Sequence, residues 1–407
     1  MSGVDAPRCP DIVAAHVNSP TTTPDSESID WSAVPIPVVT TVLSILGLFM
    51  VGTLAVDIRA DLGFSEVALG GLVTAFSVVT AATSMPIGGV VERLGYRRSL
   101  AAAATLTGVS MIAVGSGGRS WWPVALAMSL GGLGAAAAHP AANLALTRCI
   151  PATHQGLALG IKQASIPAAI FIAGLAVPVL GETVGWRWAF RGGGLAAAWL
   201  REEVTIPTAR VRGFLRAGPL LLLTGVVFFG VTGVQALAIF LVEAAVAEGF
   251  SAASTGIVLS VASLLGIAAR IVSGWKADRS NATWALSAVT VYLVAGTSGF
   301  VLLAMSGSFA LLAVGAFIGL GAGWSWNGLV HFAVVRHYAG SPATATGVLL
   351  VGAFGGGAVG PLVFGAVVVN AGYPQAWLFA GASMLVGAGL AALARRMVGD
   401  AGPTRPG

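Results

Sequence analysis

A short charged cluster recurs in this chain at about half its length, each time between long apolar runs. The first copy is Gly88-x-x-x-Glu92-Arg93, continuing through Gly95 to Arg97 and Arg98. The second, Gly274-x-x-x-Asp278-Arg279, begins 186 positions later. A hinge of this kind, repeated at such a distance, constrains the chain to two copies of one membrane-embedded unit. The residues on either side decide that the unit is membrane-embedded. Only 9% of the 407 residues are charged and 56% are hydrophobic, whereas a soluble domain has about 25% charged residues. Too few charges remain to cover a water-facing surface.

A bilayer crossing takes roughly 20 apolar residues as a helix. Twelve segments meet or approach that length: 35–55, 66–86, 99–117, 121–144, 156–180, 186–201, 218–247, 252–273, 283–304, 308–334, 344–370 and 374–394. The runs lack the strict alternation of a membrane β-barrel. The fold class predicted is therefore an all-α polytopic membrane protein, with twelve helices in two pseudo-symmetric bundles of six. The sixth segment is the weakest, being short and carrying Arg187 and Arg191 in its first turns.

Charge supports the even count. With the N-terminus in the cytoplasm, Arg93, Arg97, Arg98, Arg148, Lys276, Arg279 and Arg336 fall inside, against Arg59, Arg119, Arg187 and Arg191 outside. This is the bias expected of cytoplasmic loops. Both termini are then cytoplasmic in a plasma-membrane protein. Topology, not nucleic-acid binding, accounts for the net charge of +5. Residues 1–33 are rich in Ser, Thr, Pro and Asp, without an apolar core, and read as a disordered tail rather than a cleaved signal. The remaining boundaries expected are a first bundle at 34–200, a linker at 201–216, a second bundle at 217–396 and a tail at 397–407. A preference for Arg over Lys, with abundant Ala and Gly, points to a GC-rich bacterial genome. Cys9 and Cys149 are the only cysteines, so no Cys-based metal site is expected.

Polar anchors extend the repeat beyond the hinge. Gly131-to-Arg148 aligns with Gly319-to-Arg336 at an offset of 188, placing His139 on Asn327, Asn143 on His331 and Arg148 on Arg336. Gly185-Trp186 aligns with Gly372-Tyr373 at 187, and Gly156 with Gly347 at 191. Each hinge follows the second helix of its half, so equivalent helices cross in the same direction, a parallel repeat.

The run Gly88-Gly89-Val90-Val91-Glu92-Arg93-Leu94-Gly95-Tyr96-Arg97-Arg98 resembles the signature loop of the major facilitator superfamily of secondary transporters, Gly-x-x-x-Asp-Arg-x-Gly-Arg-(Arg/Lys). Glu92 and Tyr96 depart from it, and the second copy stops at Arg279. The resemblance covers about residues 34–396. It implies a transporter and no enzyme. It also implies that Gly88, Glu92, Arg93, Gly95, Arg97, Arg98, Gly274, Asp278 and Arg279 form a cytoplasmic gate between the halves. The family's glycine-proline pattern stands in the eleventh segment, where Gly356, Gly360 and Pro361 can thin and bend a helix, as a transport hinge or as close packing.

Polar residues inside apolar segments are the site candidates, because a buried base usually faces a cavity or a partner. Lys162 and Gln163 lie in the fifth segment. His139 and Asn143 share one helix face, as do the matched Asn327 and His331, with Trp324 and Trp326 just before. Gln235 lies in the seventh segment and Arg270, a weaker candidate, in the eighth. These residues outline a pathway for a small solute, with Lys162 favouring an anion. The Gly160-to-Gln163 run and Trp186-Arg187-Trp188 look similar to bacterial cyanate and small organic-anion transporters. The expected partners are the solute, the bilayer and a coupling proton, with the chain acting as a monomer and holding no cofactor or metal.

Three other functions compete with this one. A drug or multidrug exporter of the same fold usually carries an Arg in its fourth helix, which Leu126-to-Gly131 lacks. An intramembrane enzyme needs converging acids, a metal set or a nucleophile with its base, and the acids here are scattered. A non-transporting sensor of the same fold would bind solute without flux.

Overall fold

In this computed structural model, residues 31–63, 66–117, 120–176, 180, 184–200, 217–338 and 340–400 are described. The described residues are almost wholly helical. After a 3-10 turn at Trp31–Ala33, α1 (Pro35–Thr53) is the first crossing, and the short α2 (Ala55–Leu62) follows it. Then come α3 (Glu66–Leu94), α4 (Tyr96–Ser116), α5 (Trp121–Cys149), α6 (Gln155–Gln163), α7 (Ser165–Ala176) and α8 (Trp186–Leu200). The second half holds α9 (Ala217–Ala247), α10 (Ala252–Asp278), α11 (Ala282–Ala304) and α12 (Phe309–Ala316). A π-helical turn at Phe317–Ala322 leads to α13 (Asn327–His337), then α14 (Pro342–Ala371) and α15 (Tyr373–Asp400). Of the tails expected at 1–33 and 397–407, residues 31–33 form the 3-10 turn and 397–400 continue α15; residues 1–30 and 401–407, with the linker at 201–216, lie outside the described residues.

Among the described residues, eleven passages are long and apolar enough to cross a bilayer; α6–α7 form one, and α12–α13 with the π turn form another. The twelfth, α8, has 15 residues, about 22 Å at 1.5 Å per residue. Its arginines are tied to the end of α4. Arg187 donates to the Gly117 carbonyl at 2.9 Å and pairs with Asp61 at 3.1 Å, while Arg191 donates to the Gly115 carbonyl at 3.1 Å. They satisfy the open carbonyls at the end of α4, as basic groups do at helix C-termini.

The duplication is visible in the backbone. Gly185 and Gly372, paired by sequence, have φ of +89° and +91°, and each is followed directly by a helix. A side chain at either position would be strained. The hinge is tighter than a loop. Gly88, Gly89, Glu92 and Arg93 lie on the last turns of α3, and the chain turns into α4 at Gly95 alone, where φ is +82°. The membrane face at which α3 and α10 end is called the hinge face below.

The two halves meet through small residues, the way membrane helices approach closely. A Cβ on Gly88 would lie 2.9 Å from the Ala343 carbonyl oxygen, and one on Gly347 would lie 2.6 Å from that of Ser84, joining α3 to α14. In the other pair, a Cβ on Gly156 would lie 2.7 Å from the Gly274 carbonyl oxygen and one on Gly160 2.7 Å from that of Arg270, joining α6 to α10. The repeat anchors are thus the contact points between halves. Gly356 and Gly360 pack against the carbonyls of Phe228 and Thr232 on α9, and α14 runs unbroken through Pro361.

Candidate functional site

The passages that break are the fifth and the tenth. α6 ends at Gln163 and α7 begins at Ser165, while the π turn and the bend from Gly323 to Trp326 interrupt the tenth. A break frees carbonyls that apolar surroundings cannot satisfy. Arg270, on α10 and only 1% exposed, satisfies one carbonyl at each break. Its Nε and Nη2 donate to the Trp324 carbonyl at 3.1 and 2.7 Å, and its Nη1 donates to the Gln163 carbonyl. One guanidinium therefore ties a helix end of the first half to the bend of the second, a use its planar fork suits.

Beside this clamp lies a cavity with about 540 Å³ between its lining atoms, solvent-open space included. Its polar lining is Ser77, His139, Gln163, Gln235, Asn327 and His331. Apolar side chains cover the rest, among them Phe49, Leu350 and Phe354, and Trp324 adds its ring, edge-on to Phe49 at 6.3 Å. None of the lining residues is acidic. Among the described residues, Ser77 Oγ, His139 Nε2, both amide atoms of Gln163, Trp324 Nε1, Asn327 Oδ1 and His331 Nε2 are buried without a hydrogen-bond partner. An unmet buried polar group costs about 1–3 kcal/mol. Concentrating so many around one cavity makes it the candidate binding site.

Lys162 is fully buried behind this wall, its Nζ 3.1 Å from His139 Nδ1. An ammonium has donors only. With Lys162 charged, His139 Nδ1 accepts, and the imidazole proton sits on Nε2, facing the cavity. His331 has the opposite arrangement: its Nδ1 lies 3.0 Å from the Asn327 carbonyl. That nitrogen carries the proton, so a neutral His331 presents a lone pair at Nε2. One histidine thus offers a donor and the other an acceptor.

Of the residues expected to form the pathway, His139, Gln163, Gln235, Trp324, Asn327 and His331 line one cavity, with Lys162 one layer behind. Asn143 does not line it. One turn nearer the hinge face, it donates to Thr346 Oγ1 at 3.0 Å across the halves. Trp326 is turned away and packs on Gly230 of α9. Arg270, ranked lower from sequence, proves central. Its position in an apolar run was the available signal, but nothing in the sequence shows two broken helices converging on it.

The hinge residues meet the opposite half. Glu92 Oε1 accepts from Thr344 N at 3.0 Å, at the start of α14. The Asp278 carboxylate accepts from Gly156 N at 2.6 Å and Leu157 N at 2.8 Å, at the start of α6. Each acid thus caps a helix N-terminus of the other half, where free N–H groups and the helix dipole favour negative charge. Around them, Arg97 Nε donates to Tyr96 Oη at 3.2 Å, Arg279 stacks over Trp275, and Arg93 and Arg98 are exposed.

Two like helical halves, closed together at one membrane face around a central polar cavity, define a membrane transport protein. The profile described as Major Facilitator Superfamily matches residues 38–349, and the chain belongs to that family of transporters. An MFS-type efflux pump of Mycolicibacterium smegmatis is 27% identical over 190 residues, 46% of this chain and 44% of that protein. The chain therefore matches less than half of that relative's length. The crystal structure of the human organic anion transporter MFSD10 (TETRAN) is similar with a TM-score of 0.69 at 18% identity, over 88% of this chain and 98% of that one. At that identity the likeness is one of fold.

Proposed function

We propose that this chain carries a small anion across the plasma membrane by alternating access, its halves rocking about the central cavity. The hinge face is cytoplasmic, residues 34–200 and 217–396 are the two moving bodies, and the flanking segments 1–33, 201–216 and 397–407 lie on the cytoplasmic side of a monomer. The single observation that supports an anion is two buried cations, Lys162 and Arg270, set behind a cavity wall that has no acid. Burying a charge without a countercharge is costly, and an arriving anion offsets that cost. His331 Nε2, with its cavity-facing lone pair, is the acceptor for a coupling proton.

Uptake into proteoliposomes tests this reading. Formate, cyanate and benzoate are offered with an imposed proton gradient, and Lys162→Ala serves as the control. The expected outcome is saturable anion uptake that Lys162→Ala lowers by about tenfold or more, the scale of one charge-assisted contact. Uptake of cationic dyes that is indifferent to Lys162→Ala would refute the anion. Drug export is kept as a second reading because the Mycolicibacterium smegmatis relative is an efflux pump. Vesicles of opposite orientation separate export from import.

A further inference from the structure

The two halves share a repeat, but the cavity they enclose is not symmetric. The Gly156–Gly347 offset of 191 places Lys162 on Ala353 and Gln163 on Phe354. The hinge offset of 186 places Arg270 on Ser84. The wall built by α6 and α10 thus holds two cations and an amide, while its counterpart on α14 and α3 holds a methyl group, a phenyl ring and a hydroxyl. The helix breaks follow the same division. The fifth passage breaks at the charged wall, whereas its equivalent α14 is continuous.

Most of the remaining lining sorts the same way, the exceptions being Ser77 of α3, whose hydroxyl lies near Gly357 of α14, and Gln235 of α9. His331 and Asn327 of α13 join Gln163 on the polar side, and His139 stands between the two sides. Its Nδ1 meets Lys162, and its ring lies edge-on to Phe354 at 6.0 Å. Opposite are Leu350 and Phe354 of α14, with Ile45, Leu48 and Phe49 of α1. Phe354 also leans on Phe76, at 6.1 Å between centroids. A cavity with one polar end and one aromatic, aliphatic end fits a ligand that is itself divided in that way.

Building on the anion reading above, we infer that the substrate is an amphiphilic monoanion, a single carboxylate-like head on a compact apolar body, held in one orientation. The head accepts from His139 Nε2–H and the Gln163 amide, with Lys162 and Arg270 supplying positive potential from behind. The body lies against Phe354, Leu350 and Phe49. A second charge on the ligand would fall on the apolar wall and lose its hydration without a partner. A head without a body would leave that wall unused.

Binding of radiolabelled benzoate to the purified full-length protein in detergent tests the inference by equilibrium dialysis, with four unlabelled competitors. Formate removes the body, phthalate adds a second head, benzamide removes the charge and benzylammonium reverses it. Benzoate is expected to bind saturably and each competitor to be weaker by about tenfold or more, the discrimination expected of one misplaced group. Phe354→Ala is expected to weaken benzoate by about tenfold while moving formate by less than about threefold, since only the body touches that ring. Leu350→Ala serves as a second variant if Phe354→Ala fails to elute as a folded monodisperse species. Formate or phthalate matching benzoate overturns the amphiphilic monoanion and leaves the anion reading standing. Benzylammonium binding best overturns both. Equal weakening of benzoate and formate by Phe354→Ala or Leu350→Ala also overturns the orientation, as does an absence of saturable benzoate binding.

Discussion

At Lys162 an amine is buried in an apolar bundle with His139 Nδ1 as its neighbour, and at Arg270 a guanidinium is shared between two backbone carbonyls. These two residues do different work. Lys162 acts on the cavity through His139, whose proton it directs to Nε2. Lys162→Met is therefore expected to release the tautomer and to weaken anion binding by about tenfold, with the fold retained because Met occupies similar volume. Binding and thermal melting, measured on the same sample, check both halves of that statement. Arg270 acts on the scaffold. Arg270→Lys keeps the charge but replaces a planar fork by a point donor, so it cannot reach Gln163 and Trp324 together. The expected result is a melting temperature lowered by several degrees and a transport rate reduced more than KM is raised, read from initial rates and calorimetry. Equal stability and unchanged kinetics would mean that the clamp is incidental. Lys162 was legible from sequence as a base within an apolar run. The value of Arg270 was not, because it depends on two chain breaks more than 50 residues from it on either side.

Helices α3, α6, α10 and α14 set how closely the halves approach, and glycine sets the distance at each crossing. At Gly160 a methyl group would press on the Arg270 carbonyl, and at Gly347 on that of Ser84. Gly347→Ala is expected to push α14 from α3 and shift the population toward a state open at the hinge face. Labelling of a cysteine introduced at Thr346 by a membrane-impermeant maleimide reads that shift, and faster labelling than in the Gly347 background is the expected outcome. Gly356→Ala differs, because Gly356 faces α9 within its own half. It is expected to cost about 1–3 kcal/mol by overpacking, seen as a lower melting temperature without faster labelling. The glycines of the eleventh passage were read from sequence as a hinge or as packing. The contacts made by Gly356 and Gly360 are packing against Phe228 and Thr232, and the passages that do break are elsewhere. A glycine pattern alone cannot separate these roles, since both require the absence of a side chain.

Across the whole molecule, the two hinge acids fasten the hinge face at two related places, Glu92 on the start of α14 and Asp278 on the start of α6. A carboxylate at a helix N-terminus contributes about 0.3–1 kcal/mol when exposed and up to about 2 when partly buried. Two such caps can hold a two-state equilibrium that differs by a few kcal/mol. Glu92→Gln with Asp278→Asn keeps an acceptor oxygen at each site but removes the charge. The double variant is expected to populate the hinge-open state severalfold more than either single change. Spin labels at Arg93 and Ser280, on opposite halves, measure it as a longer distance component. No change in that distance distribution would leave the caps with only a local role.

Apolar runs interrupted by two charged clusters were enough to decide that the chain is helical, membrane-embedded, duplicated and of this family. The first three follow from hydropathy and from local spacing along the chain, and the family from the resemblance of the Gly88-to-Arg98 run to its signature loop. The sequence also put His139 and the Asn327–His331 pair on matched helix faces, through helical periodicity and the repeat offset, and marked Gln163 as a polar residue within an apolar run. Tertiary structure decided the rest: that Asn143 and Trp326 leave the cavity, that Arg270 joins two broken helices, and that each hinge acid caps a helix of the opposite half. It also decided that a repeated sequence encloses an unequal cavity. Those outcomes depend on how helices far apart in the chain rotate and approach each other. Packing between halves sets that, and no local pattern encodes it.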